Sequence, residues 1–211
     1  MKLNKEIELT LEDKKLKFRK VELVFEGGTY YNIFSMKNNK TLSETIKHHR
    51  YSNLGTIVLE NYSEFLDYGL GEFLLILKEK NDENYRLFLN WYGDLEYSNF
   101  MIDDKTILNK KGLYLYTVGS EIKYIGRCLD TFQKRFNQGY GKIHPKNCYK
   151  DGQATNCHLN SKITENKDGV KLYVCPLEDD NAIIEIENDL IVEFNPDWNI
   201  TNSRVRVNNV S

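Results

Sequence analysis

Residues 112–126 read Gly112-Leu113-Tyr114-Leu115-Tyr116-Thr117-Val118, a Gly119-Ser120 pair, then Glu121 and Ile122-Lys123-Tyr124-Ile125-Gly126. β-Branched and aromatic side chains pack well on a pleated, half-buried surface. Two such runs on either side of a tight glycine turn close as an antiparallel hairpin, so the chain must build a sheet here. Next, Asp130 or Thr131 can cap a helix on which Phe132 and Phe136 share a buried face, with Arg135 beside it. Period-two alternation marks further strands at Glu6–Leu11 and at Val21–Phe25, the latter ending at the Gly27-Gly28 turn signal, and another strand is expected at Tyr30–Phe34. Thr41-Leu42-Ser43-Glu44 offers capping residues for a short helix running toward Arg50. Phe73–Lys78 and Tyr85–Trp91, on either side of Asn81-Asp82-Glu83-Asn84, read as a second hairpin. The expected class is α+β: a small antiparallel sheet flanked by helices over 110–211, preceded by a mixed α/β region over 1–109.

With 211 residues the chain can bury one large core or two smaller ones. Its longest unbroken apolar run is Phe73–Leu77, where a membrane span needs roughly 20 residues. No apolar stretch follows the lysines of Met1–Thr10, so no secretory leader is expected. Cys128, Cys148, Cys157 and Cys175 then read as reduced thiols of a cytoplasmic protein. A net charge of −2 excludes a uniformly basic coat protein, but the charge is unevenly placed. Residues 1–109 carry 15 basic and 18 acidic groups, residues 110–162 carry 10 and 3, and residues 163–211 carry 4 and 10. The middle segment is a basic island that suits a polyanion such as nucleic acid. The alternative is a solvated lysine face folded against the acidic tail.

Ile183, Ile184, Leu190, Ile191 and Phe194 are spaced as one face of a helix, and Glu187 falls in the middle of that apolar stripe. A carboxylate placed there must be ion-paired, protonated or bound to a cation, and the spacing leaves an ion pair and a metal site both open. The segment 139–158 reads as a long loop rich in Lys, Asn and Gly. Lys142, Lys146 and Lys150 could contact phosphates along a DNA groove and Asn156 a base edge; the alternative is a structural insertion. His144, Cys148, Cys157 and His158 are zinc-ligand types. Adjacent Cys157 and His158 would need an unusual chelate, however, and no Cys-x-x-Cys pair is present, so structural zinc is not expected.

Gly112-Leu113-Tyr114 and, after nine intervening residues, Tyr124-Ile125-Gly126 resemble the paired motif of the GIY-YIG nuclease family, with Leu113 in place of the first isoleucine. Lys134-Arg135-Phe136 resembles the family's arginine-bearing helical turn, one residue later than its commonest spacing. Glu187-Asn188-Asp189-Leu190-Ile191 is similar to its later helix, in which a glutamate is followed two residues on by Leu-Ile. Pro196-Asp197-Trp198-Asn199 resembles its proline and asparagine ending. The resemblance covers about residues 110–200. A histidine often found four residues after the arginine is replaced here by Gly139, with Tyr140 beside it.

The resemblance implies a metal-dependent DNA endonuclease leaving 5′-phosphate and 3′-hydroxyl ends, with Mg2+ or Mn2+ held by Glu187. Arg135 would grip the non-bridging phosphoryl oxygens as a bidentate fork. Tyr114 would be the general base, needing nearby cations to favour its phenolate against an ordinary pKa of about 10. Tyr124 would orient the water or the phosphate, with Tyr140 and Lys142 assisting proton transfer. Gly112 and Gly126 would permit close backbone approach, and Asn199 would orient the backbone around the site. Residues 1–109 would recognise DNA or form a homodimer, as a type II restriction endonuclease cutting both strands of a palindrome requires. The alternatives are a single-strand or nicking defence or repair nuclease of the same family, and a noncatalytic nucleic-acid-binding module in which Tyr114, Arg135 and Glu187 form a structural polar network.

Overall fold

A computed structural model of the chain describes residues 5–12, 14–37 and 40–200. Residues 201–211, the end of the expected 110–211 domain, lie outside the described residues. The strands are β1 (Glu6–Leu11), β2 (Lys14–Val21), β3 (Val24–Tyr30), β4 (Tyr97–Met101), β5 (Gly112–Val118), β6 (Glu121–Cys128) and β7 (Val170–Pro176). The helices are α1 (Leu42–Ile46), α2 (Gly55–Asn61), α3 (Leu70–Glu79), α4 (Pro145–Cys148), α5 (Ala154–Glu165) and α6 (Asp180–Phe194). The class is α+β.

Five strands form one antiparallel sheet in the order β1-β2-β7-β5-β6, while β3 and β4 pair separately. Hydrogen bonding sets Tyr114 opposite Gly126 on one side and Val174 on the other, and Tyr116 opposite Tyr124 and Leu172. The pleat sends alternate side chains to opposite faces. On one face Leu113, Leu115, Ile125, Tyr173 and Cys175 join Leu9, Leu16 and Phe18, and Ile183, Ile186 and Leu190 of α6 close the core. On the other, Tyr114 and Tyr116 meet Phe136, which stacks on Phe132, and Tyr124 packs on both tyrosines.

The chain divides into two units, but not at residue 109. One comprises Met1–Gly27, Asn99–Lys142 and Lys162–Ser211; the other comprises Gly28–Ser98 and Ile143–Ser161. The physical reason is the pairing of β2 with β7, which carries the amino-terminal hairpin into the sheet of the tyrosine motif. The second unit builds its own core from Phe34, Leu42, Tyr51, Phe73, Leu74 and Phe88, with Cys148, Tyr149 and Cys157 packed among them.

Several local expectations change with the packing. Phe73–Lys78 lies inside α3, where Leu70, Phe73, Leu74 and Leu77 are buried at helical spacing; no polar residue interrupts Phe73–Leu77 to betray the period. The partner segment is a 3-10 helix over Glu83–Phe88, so no hairpin forms there. Gly27 and Gly28 sit within β3 instead of ending it, and a 3-10 turn at Ile33–Ser35 follows. Thr41 caps α1 in a reciprocal box with Glu44. That helix stops at Ile46, and His49–Leu54 continues as a 3-10 helix. The segment expected to be a long loop contains α4 and the start of α5. Among the described residues, no helix is long and apolar enough to cross a membrane.

Candidate active site

Two glycines let the sheet bring its phenols together. Gly112 has φ +140°, and a Cβ there would lie 2.7 Å from the Leu177 nitrogen, so no larger residue fits at the start of β5. A Cβ on Gly126 would lie 2.6 Å from the Tyr114 hydroxyl; its absence leaves room for that phenol to lie across β6. The Tyr114 ring stacks on Tyr124 at 6.0 Å and meets the edge of Phe136 at 5.0 Å. Its hydroxyl shares a 2.7 Å hydrogen bond with that of Tyr140. Tyr114 is 1% exposed and Tyr140 2%. Tyr116 is the second phenol on β5, buried with no hydrogen-bond partner for its hydroxyl among the described residues.

Arg135 and Tyr140 come from the same helical segment. The Thr131 hydroxyl accepts from the Lys134 N–H at 3.3 Å, and the Thr131 carbonyl accepts from the Arg135 N–H at 3.0 Å. The segment then widens into a π-helical turn over Lys134–Tyr140, a geometry that recurs at functional sites. The Arg135 guanidinium lies 5.6 Å over the Tyr140 ring. Burial pushes its pKa down, but the Tyr114, Tyr140 and Cys128 groups around it more than offset this and hold the cation protonated.

Tyr114 stands differently from expectation. Burial pushes its pKa well above the ordinary phenol value, neighbouring Tyr124 and Tyr140 push the same way, and Arg135 opposes them without prevailing. The resting group is a neutral phenol, because desolvation of a phenolate outweighs one nearby cation. Burial likewise raises Tyr116 and Tyr124 well above their ordinary values.

Helix α6 supplies the acid. Asp179 caps it by accepting from the N–H groups of Asn181 and Ala182 at 2.8 and 3.2 Å. Its buried face is Ile183, Ile186, Glu187 and Leu190. Ile184 and Ile191 are only half-buried and Phe194 is exposed, so the apolar stripe is narrower than its spacing suggests. Glu187 Oε2 accepts from Nη1 of Arg127, and the two form an ion pair. Burial raises the pKa of Glu187, and Arg127, then Arg135, pull against it. Of the alternatives left open by the spacing, the ion pair is the one made.

Sequence reasoning passed over Arg127. The available signal is its place in the alternation: it shares a face with Leu113, Leu115 and Ile125, toward the helix that carries a lone acid in its apolar stripe. Its side chain is 38% exposed, so its guanidinium reaches solvent. Among the described residues, no three His, Cys, Asp or Glu side chains gather as a metal cluster. Glu187 therefore offers one carboxylate with a cation already beside it. That donor set suits an ion such as Mg2+, which keeps several waters and takes phosphate oxygens, and does not suit a fully caged ion.

Asn199 acts on the backbone. Its amide donates to the Ile125 carbonyl at 2.8 Å and its carbonyl accepts from the Ile125 N–H at 3.1 Å, while the Trp198 N–H donates to Lys123 at 2.9 Å. The carboxamide thus stands in for a neighbouring strand along the open edge of β6. Lys142 is exposed and belongs to the unit that holds the tyrosines; Lys146 and Lys150 are exposed and belong to the other. Asn156 is not available to a base edge: it is 8% exposed, within α5, and its amide donates to Gln153. Of His144, Cys148, Cys157 and His158, only the two cysteines come together. The two sulfurs lie 4.0 Å apart, His158 packs on Tyr92, and His144 is exposed at the start of α4.

No protein-family model, curated protein or solved structure matches this chain.

Proposed function

We propose that Tyr114, Tyr124, Arg135, Tyr140 and Glu187, with Arg127, form a phosphodiester-hydrolysing site of GIY-YIG type, and that the chain is a metal-dependent DNA endonuclease. The observation that carries this reading is the central place of Arg135. Its guanidinium lies 5.6 Å over the Tyr140 ring, whose hydroxyl is bonded to that of Tyr114, and its charge opposes the raised pKa of the Glu187 carboxylate; these groups come from separate stretches of the chain. A phenol, a guanidinium and an acid in mutual electrostatic reach are what hydrolysis of a phosphodiester needs: an acceptor for the water's proton, neutralisation of the phosphoryl oxygens, and support for the leaving oxygen.

The roles of the two arginines follow from their exposure and charge. Arg127 and Arg135 are only partly covered, so an entering phosphate meets two guanidiniums that can each form paired hydrogen bonds with its oxygens. Engagement of Arg127 by phosphate draws it from Glu187 and frees that carboxylate. Mg2+ or Mn2+, held by Glu187 and completed by water and phosphate, would neutralise charge on the phosphoryl group and the leaving oxygen. Tyr114 in its phenolate form takes the water's proton, and Arg135 is the cation that favours that form. Tyr140 holds the Tyr114 oxygen in place through their shared hydrogen bond, and Tyr124 supports the ring.

The test is conversion of supercoiled plasmid DNA to nicked or linear product in Mg2+. Wild-type protein should cut, and Glu187→Gln, which keeps a hydrogen-bonding side chain of the same shape, should cut at least about 100-fold more slowly while unfolding at a similar denaturant concentration. Undiminished cutting by Glu187→Gln would overturn the reading. A wild type that binds nucleic acid and never cuts it would favour the noncatalytic module.

A further inference from the structure

Trp91 is 90% exposed, yet the turn that carries it is tightly braced. The Gly93 N–H donates to the Asn90 carbonyl at 2.9 Å and the Tyr92 N–H to the Asn90 side chain at 2.9 Å, closing a turn with Trp91 at its tip. The Asn90 amide in turn donates to the Asn147 and Tyr149 carbonyls at 2.7 and 3.1 Å, and its N–H to the Cys148 carbonyl at 2.9 Å. Leu89 and Tyr149 form an antiparallel bridge, and the Lys150 N–H donates to Phe88 at 2.8 Å. The indole is therefore presented on a fixed backbone laced to the segment that carries Lys146 and Lys150.

Charge identifies the kind of partner. Lys146 and Lys150 are exposed, and neither joins an ion pair among the described residues. Two acids of these segments are already satisfied: Asp94 is paired with Lys78 at 2.6 Å, and Asp151 with Lys40 at 3.2 Å and with the Tyr51 hydroxyl. What this surface offers is an exposed aromatic face on a braced turn and, on the segment laced to that turn, two cations outside any ion pair among the described residues. An aromatic face with flanking lysines binds unpaired nucleotides, the ring stacking on a base and the cations meeting the phosphates. A base inside a duplex is already stacked on both sides and has no face to give.

We propose that Trp91, Lys146 and Lys150 form a binding surface for a single-stranded stretch of nucleic acid. The inference rests on the endonuclease reading and narrows its substrate to DNA with an unpaired segment. The chain has two tryptophans, and Trp198 is buried, so Trp91 can be followed by difference. Wild-type and Trp91→Phe proteins are titrated with a mixed-sequence single-stranded DNA oligonucleotide, with its duplex, and with anionic phospholipid vesicles. Indole fluorescence and the anisotropy of a labelled oligonucleotide are both read.

The single strand should quench wild-type fluorescence, and that quenching should vanish in Trp91→Phe, with binding about tenfold weaker. The duplex should bind more weakly than the single strand. Replacing both lysines, Lys146→Gln with Lys150→Gln, should lower the slope of log affinity against log salt by about 1.4. Equal quenching in both proteins, equal affinity for the duplex, or quenching by vesicles alone would overturn the inference. If the labelled strand binds and plasmid is cut while Trp91 stays silent, only this inference falls; if no DNA is bound or cut, the endonuclease reading falls with it.

Discussion

Under the proposed mechanism Tyr114 is a base that burial keeps protonated, and this has a kinetic signature. Its pKa is raised, so the phenolate fraction grows as pH rises toward that value. Cleavage should climb by up to about tenfold per pH unit through neutral and mildly alkaline pH, and Tyr114→Phe should remove that climb. The acid limb belongs to Glu187. Its raised pKa means the carboxylate is lost as pH falls through a value above the ordinary carboxyl range. Arg127→Met removes the group that opposes the rise, so the acid limb should move to higher pH in a rate profile. Stability has the opposite alkaline dependence. Tyr114, Tyr116 and Tyr124 all hold their protons more firmly when folded. Their contribution is fully present below the unfolded phenol value of about 10 and is lost as pH rises beyond it. Alkaline unfolding followed by phenolate absorbance should therefore be cooperative. At this scale the motif resemblance singled out Tyr114, Tyr124, Arg135 and Glu187 as candidates, with Gly112 and Gly126 by their place in it. It hid Arg127, whose role depends on which helix covers its face, and it made Asn156 look available because the helix that buries it was not recognised.

The edge of β6 is held by one side chain. Asn199 satisfies both backbone groups of Ile125, so Asn199→Leu leaves two buried polar groups unpaired and should cost about 1–3 kcal/mol for each in a denaturant titration. Amide exchange at Ile125 should accelerate with it. Gly126→Ala tests the same strand from within: its Cβ would meet the Tyr114 hydroxyl at 2.6 Å, and overpacking of this kind costs typically 1–3 kcal/mol. Elements with local signals were legible. The β5–β6 hairpin has its glycine turn, α1 has its Thr41 capping box, and α6 has its acid-studded stripe. Helix α3 was not, because a run of adjacent apolar residues carries neither period, and its burial inside the second core decided the matter.

At the level of the whole chain, the tyrosine-bearing sheet is completed by its first 21 residues. β2 lies between β1 and β7, and Leu9, Leu16 and Phe18 belong to the same core as Leu113 and Ile183. A fragment comprising residues 110–211 would expose the edge of β7 and lose those side chains, so it should show no cooperative thermal transition, whereas the full chain should show one. Cooperative folding of the fragment would contradict that role for the amino-terminal hairpin. Strand alternation reveals that β1 exists; it carries no information about the partner, since the β2–β7 pairing joins residues some 150 positions apart. That is why an amino-terminal region read as separate belongs to the sheet of the motif.

Mapping of DNA ends after incubation with Mg2+ tests the central claim most directly. Wild-type protein should release 5′-phosphate and 3′-hydroxyl termini, and both Tyr114→Phe and Glu187→Gln should suppress them. Folded wild-type protein that leaves every DNA substrate intact, or variants that release the same termini at the same rate, would contradict it.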